Sequence, residues 1–140
     1  MKALRTLALS LVLLSSAVAH AGERQSLETY VSPAPSLMPI LVKQADAIGL
    51  TAGQQARLAE WRQVAQPKRM EMEKAVIADR LAVNQAVLDG KSNIAVQTLV
   101  KSLQRKEMKL VVAKLACRDY VTKTLNKEQM AKLVTLYGAP

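Results

Sequence analysis

Residues 93–123, NIAVQTLVKSLQRKEMKLVVAKLACRDYVTK, contain neither glycine nor proline and carry an apolar heptad pattern with one polar member. Its members are spaced alternately three and four residues apart: Val96, Leu99, Leu103, Lys106, Leu110, Ala113, Cys117 and Tyr120. Lys106 is the only polar member. Such a seam is typical of a long helix that packs along its length on another helix. At the usual rise per residue, the segment spans about 46 Å.

The segment before this seam predicts a second long helix and a tight turn. Thr51 is a suitable N-cap, and Gln54 lies three residues later, as a capping box requires. This helix is expected to run to Leu88, with a kink or a division at Pro67. Two apolar stripes follow it: Met70, Ile77, Leu81 and Leu88 form the first, and Met72, Val76, Val83 and Val87 form the second. Residues 89–92, DGKS, favour a turn, so the two elements form an antiparallel helical hairpin.

The composition favours a single all-α domain. The chain has 140 residues, of which 50% are apolar and 3% aromatic, with no phenylalanine. A core made of Leu, Val, Ala, Ile and Met suits helices. We expect a short helix from an N-cap at Ser36 to Ile48, ended by Gly49, and a last helix capped by Asn126. The fold class is therefore a long bent hairpin with short flanking helices.

The first 21 residues resemble a secretory signal peptide. Lys2 and Arg5 precede an apolar stretch and two small-x-small sites, after Ala19 and after Ala21, of which we favour Ala21. The alternative is a membrane anchor, but the apolar stretch is short for a span. The predicted organisation is a signal peptide over residues 1–21, a flexible arm over 22–35 and one domain over 36–140.

The chain is basic, and export changes what that implies. Its net charge is +9, or +7 once Lys2 and Arg5 are removed. Outside the cytoplasm, a membrane surface or acidic protein segments are more suitable partners than nucleic acid. The alternative is that Lys and Arg only solvate the outer faces of long helices.

A pentapeptide occurs twice, as Leu50-Thr51-Ala52-Gly53-Gln54 and as Leu125-Asn126-Lys127-Glu128-Gln129. This pair resembles the doubled LTxxQ motif of the CpxP/Spy family of periplasmic proteins, and the resemblance covers roughly residues 37–137. The first copy matches fully, whereas the second has Asn126 in place of threonine. Since Asn is an equally good N-cap, the fold inference does not depend on this difference.

The resemblance implies a periplasmic protein that forms a thin, bent homodimer of helices. Some members of the family are ATP-independent chaperones that hold unfolding proteins on a basic, partly apolar surface. Others restrain the sensor kinase of an envelope-stress system, and some relatives bind zinc or sense metals. We expect the first activity here, with binding of the sensor kinase as the alternative. Dimerisation also has an argument from the residues, because one hairpin layer cannot cover two apolar stripes.

The sequence indicates a binding surface rather than an active site. It shows no nucleophile with a base partner and no phosphate loop, so we expect no enzyme and no cofactor. We also expect no metal site, since Cys117 and His20 are far apart. Cys117 is either a small buried hydrophobe or a disulfide partner across a dimer axis, and its seam position favours burial. The candidate client-binding residues combine basic and adaptable apolar side chains, although the methionines could instead fill the core: Arg57, Arg62, Arg69, Met70 and Met72.

Overall fold

The computed structural model describes residues 32–138, and these form five helices and no strand. The helices are α1 (Met38–Lys43), α2 (Ala45–Ile48), α3 (Ala52–Leu88), α4 (Asn93–Thr124) and α5 (Lys127–Gly138). Helices α3 and α4 pack on each other as an antiparallel hairpin, and α1, α2 and α5 contact one another at its base. The predicted all-α hairpin with short flanking helices is confirmed. No helix in residues 32–138 has the length and apolarity needed to cross a membrane.

The turn between α3 and α4 follows from its sequence. Gly90 adopts a positive φ of 65°, which is favourable for glycine because it has no Cβ. The N–H of Lys91 donates to the Ala86 carbonyl at 3.0 Å, which closes the last turn of α3. The Ser92 hydroxyl then accepts the N–H of Ala95 and caps α4. A four-residue connection of this kind brings the next helix back alongside the first.

Pro67 lies inside an uninterrupted α3 of 37 residues, so the predicted option of a division at this residue was wrong. Proline removes the N–H that would bond the carbonyl four residues earlier, which belongs to Gln63. Both residues are exposed, and water can therefore satisfy that carbonyl. The remaining backbone bonds and the packing on α4 keep the helix continuous.

The predicted single helix from Ser36 to Ile48 is instead two short helices. They are separated at Gln44, whose φ of −116° and ψ of 28° are not helical. The first helix begins after Leu37 rather than Ser36, and the Ser36 hydroxyl accepts from Arg69 Nη1 at 3.4 Å instead of capping α1. Gly49 ends α2 with a φ of 78°, as expected.

The hydrophobic core is concentrated at the base of the hairpin. The larger cluster joins all five helices through residues that are nearly or fully buried: Leu37, Met38, Leu41, Ile48, Leu58, Val121, Leu125 and Leu133. A second cluster further along the hairpin has only Val76 and Leu110 buried, with Met72 and Leu103 packed against them. The outer part of the molecule is therefore a layer of two helices with little core of its own.

Part of the predicted flexible arm is packed against the hairpin. Ser32 is buried, and the buried ammonium of Lys114 donates to the Ala34 carbonyl at 3.1 Å. The end of the predicted arm thus contacts α4 at Ala34, whereas Pro33 and Pro35 are exposed. The predicted signal peptide and residues 22–31 of the arm lie outside the described residues.

An ion pair accounts for the polar member of the heptad seam. Lys106 Nζ lies 2.6 Å from Asp79 Oδ1 on α3, and the Ser102 hydroxyl donates to Asp79 Oδ2 at 3.0 Å. These two donors, with Lys106 the stronger, hold the pKa of Asp79 below its usual value, although desolvation opposes them. A charged residue can therefore occupy the seam because the facing helix supplies a carboxylate.

We predict that Asp79→Asn lowers the free energy of unfolding by at most about 1 kcal/mol at neutral pH, since the pair is partly exposed. The pKa of Asp79 is lower in the folded state than in the unfolded state. The stabilisation is therefore fully present well above the unfolded-state pKa of about 3.9, and it is lost as the pH falls from there through the lower folded-state pKa. Urea titrations of both proteins between pH 7 and pH 2.5 measure this difference.

The matched control is Glu71→Gln, which removes the exposed pair between Glu71 and Lys74 on a single helix. It should change stability by a few tenths of a kcal/mol or less. If the free energies of unfolding of the parent protein and Asp79→Asn differ by the same amount at pH 7 and at pH 2.5, the ion pair does not supply this stability.

Candidate functional site

Both copies of the pentapeptide form capping boxes. In the first, Thr51 Oγ1 accepts the Gln54 N–H at 3.2 Å, and Gln54 Oε1 accepts the Thr51 N–H at 2.9 Å. In the second, Asn126 Oδ1 accepts the Gln129 N–H at 2.8 Å, and Gln129 Oε1 accepts the Asn126 N–H at 3.1 Å. Each box satisfies backbone donors that would otherwise lack partners at a helix start. The expected caps are confirmed at both positions.

The two boxes are also bonded to each other through their glutamine side chains. Gln54 Nε2 donates to Gln129 Oε1 at 2.8 Å, and Gln129 Nε2 donates to Gln54 Oε1 at 3.0 Å. The second N–H of Gln54 reaches the Thr124 carbonyl at 2.9 Å, and that of Gln129 reaches the Gly49 carbonyl at 2.7 Å. Each glutamine therefore bonds the residue that precedes the other motif. We call these two side chains the glutamine pair.

The glutamine pair was not predicted from the sequence. Each box is visible as a local spacing, but a local spacing does not show that two helix starts meet across more than 70 residues. The signal available was the repetition of the whole pentapeptide, with a leucine before each cap. Leu125 is buried and Leu50 is half-buried against the same cluster, so the repeated leucines place both helix starts on one core. The residues of the two motifs therefore shape the chain, and two of them, Leu125 and Asn126, also line an open cavity: Leu50, Thr51, Gln54, Leu125, Asn126 and Gln129.

Aromatic packing continues this base region along the hairpin. Trp61 and Tyr120 stack with ring centroids 5.1 Å apart, and the Tyr120 hydroxyl donates to the Arg57 carbonyl at 3.1 Å. Cys117 packs beside them and is half-buried. Burial raises the pKa of its thiol, and the nearby charge of Arg69 opposes that shift. The thiol is therefore less reactive than a free cysteine at neutral pH.

The three predicted client-binding arginines do not form one surface. Arg62 and Arg69 are seven residues apart and lie on the same side of α3, whereas Arg57 lies about a third of a turn away from both. Arg62 Nε donates to Gln66 at 2.6 Å, and Arg57 is exposed. Arg69 is half-buried and pairs with Glu73 at 3.0 Å. The structure thus leaves Arg57 and Arg62 accessible and uses Arg69 within the fold.

The two predicted methionines also differ. Met72 is half-buried against Val76 and Leu110, so it fills the core of the hairpin. Met70 is exposed and lines an open cavity with Arg62, Gln66, Pro67 and Glu71. A second open cavity lies where α4 meets α5, between Leu125, Met130 and Val134.

The apolar stripes of α3 separate into a packed one and an exposed one. The packed stripe contacts Leu103 and Leu110 of the α4 seam through Met72 and Val76, although Val87 at its end is exposed. The other stripe is exposed along its whole length, from 41% at Ile77 to 81% at Leu88: Met70, Ile77, Leu81 and Leu88. We call these four residues the α3 stripe. The α3 stripe is therefore an apolar surface that no described helix covers, and Val64 and Val87 of α3 are exposed as well.

No protein-family model, curated protein or solved structure matches this chain. Residues 32–138 contain no group of three or more His, Cys, Asp or Glu side chains placed to hold a metal ion. The resemblance to CpxP/Spy proteins therefore depends on the repeated pentapeptide and the hairpin between its copies.

We predict that Thr51→Ala and Asn126→Ala each lower the free energy of unfolding by about 1 kcal/mol, because each leaves an N–H of the first helical turn without its acceptor. Chemical denaturation measures the loss. Gln55→Ala, an exposed change beside the first box, is the control and should have a much smaller effect. Binding of unfolded proteins should persist in any cap variant that stays folded. A folded cap variant without binding would show that the motif contacts the ligand.

Proposed function

We propose that this protein is an ATP-independent periplasmic chaperone of the CpxP/Spy type. It would hold unfolding proteins on a basic and apolar helical surface, without an enzymatic activity, cofactor or metal. The repeated LTxxQ-like motif and the predicted signal peptide support the family and the compartment.

The observation that carries the proposal is the exposed α3 stripe. Ile77 and Leu81 are one turn apart, and Met70 and Leu88 lie about two turns to either side, so four large apolar side chains face water on one side of α3. Exposed apolar clusters often mark binding sites. Leu81 and Leu88 are 63% and 81% exposed, although burying either side chain would be energetically favourable. Unfolding proteins expose apolar segments of many sequences, and a flat stripe can accept them without a shaped pocket. Met70 adds a flexible side chain that adapts to different partners.

Basic side chains near the stripe would help capture. Arg62 and Lys68 are exposed and line the same open cavity as Met70. Such charges speed the first encounter with acidic segments, whereas the apolar contact supplies most of the holding energy. Arg69 is not part of this surface in our proposal, because it pairs with Glu73.

A homodimer is part of the same proposal. The expected interface used the Val96-to-Tyr120 seam or the Met72-to-Val87 stripe. Within the hairpin, Met72 and Val76 of this stripe pack against Leu103 and Leu110 of the seam, whereas Val87 at its end is exposed. A second copy would therefore use other exposed apolar surface, such as the hairpin tip with Val87, Leu88 and Ile94. Sedimentation velocity at tens of micromolar measures the oligomeric state.

We predict that the purified protein suppresses aggregation of an unrelated, chemically denatured protein, followed by light scattering after dilution. Ile77→Gln with Leu81→Gln should reduce this suppression severalfold, because it replaces the centre of the apolar surface with amide groups. The same double variant should remain folded, since both side chains are already exposed.

The matched control is Ala78→Gln with Ala82→Gln, which adds two amides to exposed positions on another side of α3. It should suppress aggregation as well as the parent protein. Equal losses in both variants, or no suppression by the parent, would contradict the proposal. Binding to one sensor-kinase domain without suppression would favour a regulatory function instead.

A further inference from the structure

The outer face of α4 carries a second exposed surface that the proposed function does not use. Three cations lie four residues apart along it, and three exposed aliphatic or thioether side chains lie next to them. We call this set the α4 strip: Lys101, Arg105, Met108, Lys109, Val112 and Leu115. By the helical period, it faces away from Leu110, which contacts α3. Its length is about 21 Å along a single helix.

The cations of the α4 strip are not neutralised within residues 32–138. None of the three takes part in an ion pair with a described residue. The two carboxylates of α4 are already engaged, because Glu107 pairs with Arg80 and Asp119 pairs with Arg118. The strip therefore combines positive charge with apolar side chains and contains no acidic residue. Its complement is a surface that is both anionic and able to accept aliphatic groups.

Two occupants fit this chemistry poorly. A second α4 strip would bring three cations against three cations, with no carboxylate between them. A specific protein partner generally uses aromatic anchors and a pocket. The α4 strip has no aromatic residue, and neither open cavity described above includes any of its members.

We propose that the α4 strip binds the surface of membranes that contain anionic lipids, with α4 lying parallel to the surface. A planar lipid surface requires no pocket, and one continuous helix can present all six side chains to it. The ammonium and guanidinium groups reach the lipid phosphates, while Met108, Val112 and Leu115 enter the region between headgroups and acyl chains. Each cation near such a surface strengthens binding about fivefold. Three together give on the order of 100-fold over a neutral surface.

This proposal is independent of the chaperone activity, which uses the α3 stripe. Binding is peripheral, since no helix in residues 32–138 can cross a membrane. It would keep the α3 stripe accessible on the other helix of the hairpin.

Co-sedimentation with lipid vesicles tests the proposal. The purified protein is mixed with vesicles of phosphatidylcholine alone, or of phosphatidylcholine with about one-third phosphatidylglycerol. We expect binding to the anionic vesicles only, and weaker binding as salt rises, because exposed charges are screened. The variant Lys101→Gln, Arg105→Gln and Lys109→Gln should bind them about 100-fold more weakly.

The matched control is Arg57→Gln, Lys68→Gln and Lys127→Gln, which removes the same charge from exposed positions outside the strip. This control should bind anionic vesicles only severalfold more weakly than the parent protein. Met108→Gln with Val112→Gln separates the apolar contribution and should weaken binding that remains at 0.5 M salt. Circular dichroism checks that each variant is folded, and these exposed changes should not unfold it.

Three results would overturn the proposal. The parent protein could bind both vesicle types equally or neither. The control triple variant could lose as much affinity for anionic vesicles as the strip variant, in which case the net charge of the protein rather than the α4 strip would determine binding. Finally, a labelled, unstructured peptide of Glu and Leu could bind the strip in a fluorescence-anisotropy assay while vesicles do not, which would assign the surface to acidic polypeptides.

Discussion

The hydrogen-bonded glutamine pair is the constraint on which the arrangement at the base of this protein depends. Gln54 and Gln129 lie at the starts of α3 and α5, 75 residues apart, and each uses both amide donors and its oxygen. Through them the start of α3, the end of α2, the end of α4 and the start of α5 meet at one point. Gln129 is buried, so losing its partner would leave polar atoms without hydrogen bonds, at a substantial cost. This pairing fixes where the hairpin begins and ends relative to the flanking helices.

Distance from that base explains the character of the rest of the molecule. Near the glutamine pair, five helices share one apolar cluster and most large side chains are buried. Further out, only two helices remain, and contacts such as Asp79 with Lys106 and Arg80 with Glu107 hold them in register beside a two-residue buried cluster. A two-helix layer cannot bury every apolar side chain of both helices. The exposed α3 stripe and α4 strip are the consequence, and they are the surfaces to which we assign binding.

Local patterns in the sequence predicted much of this fold correctly. The caps at Thr51 and Asn126, the turn at Gly90 and the α4 seam follow from rules that involve residues close in sequence. The errors arise where distant contacts decide. Ser36 has the chemistry of an N-cap, but Arg69 of another helix takes its hydroxyl. Pro67 has the chemistry of a helix breaker, but the rest of the fold leaves its side of α3 exposed, where water can replace the lost bond.

The candidate site was predicted less well for the same reason. Clustering along α3 suggested that Arg57, Arg62 and Arg69 act together, yet helical geometry separates Arg57 and tertiary contacts engage Arg69. Met70 and Met72 lie on different apolar stripes, but the sequence did not show which stripe is covered, and only Met70 is exposed. The α4 strip becomes recognisable only when α3 is known to cover the opposite face of α4. Periodicity shows which residues share a side of a helix, but not whether another element covers that side.

The most direct test of the central claim is a double-mutant cycle on the glutamine pair. Gln54→Ala, Gln129→Ala and the double variant are unfolded with urea and compared with the parent protein. The account predicts that each single change costs about 1–3 kcal/mol. The double variant should lose at least about 1 kcal/mol less stability than the sum of the two single losses. Each single change already breaks the hydrogen bonds between the two glutamines, so the second change cannot break them again. Costs that add to within about 0.5 kcal/mol would show that the two glutamines are independent caps, and the account of the base would be wrong.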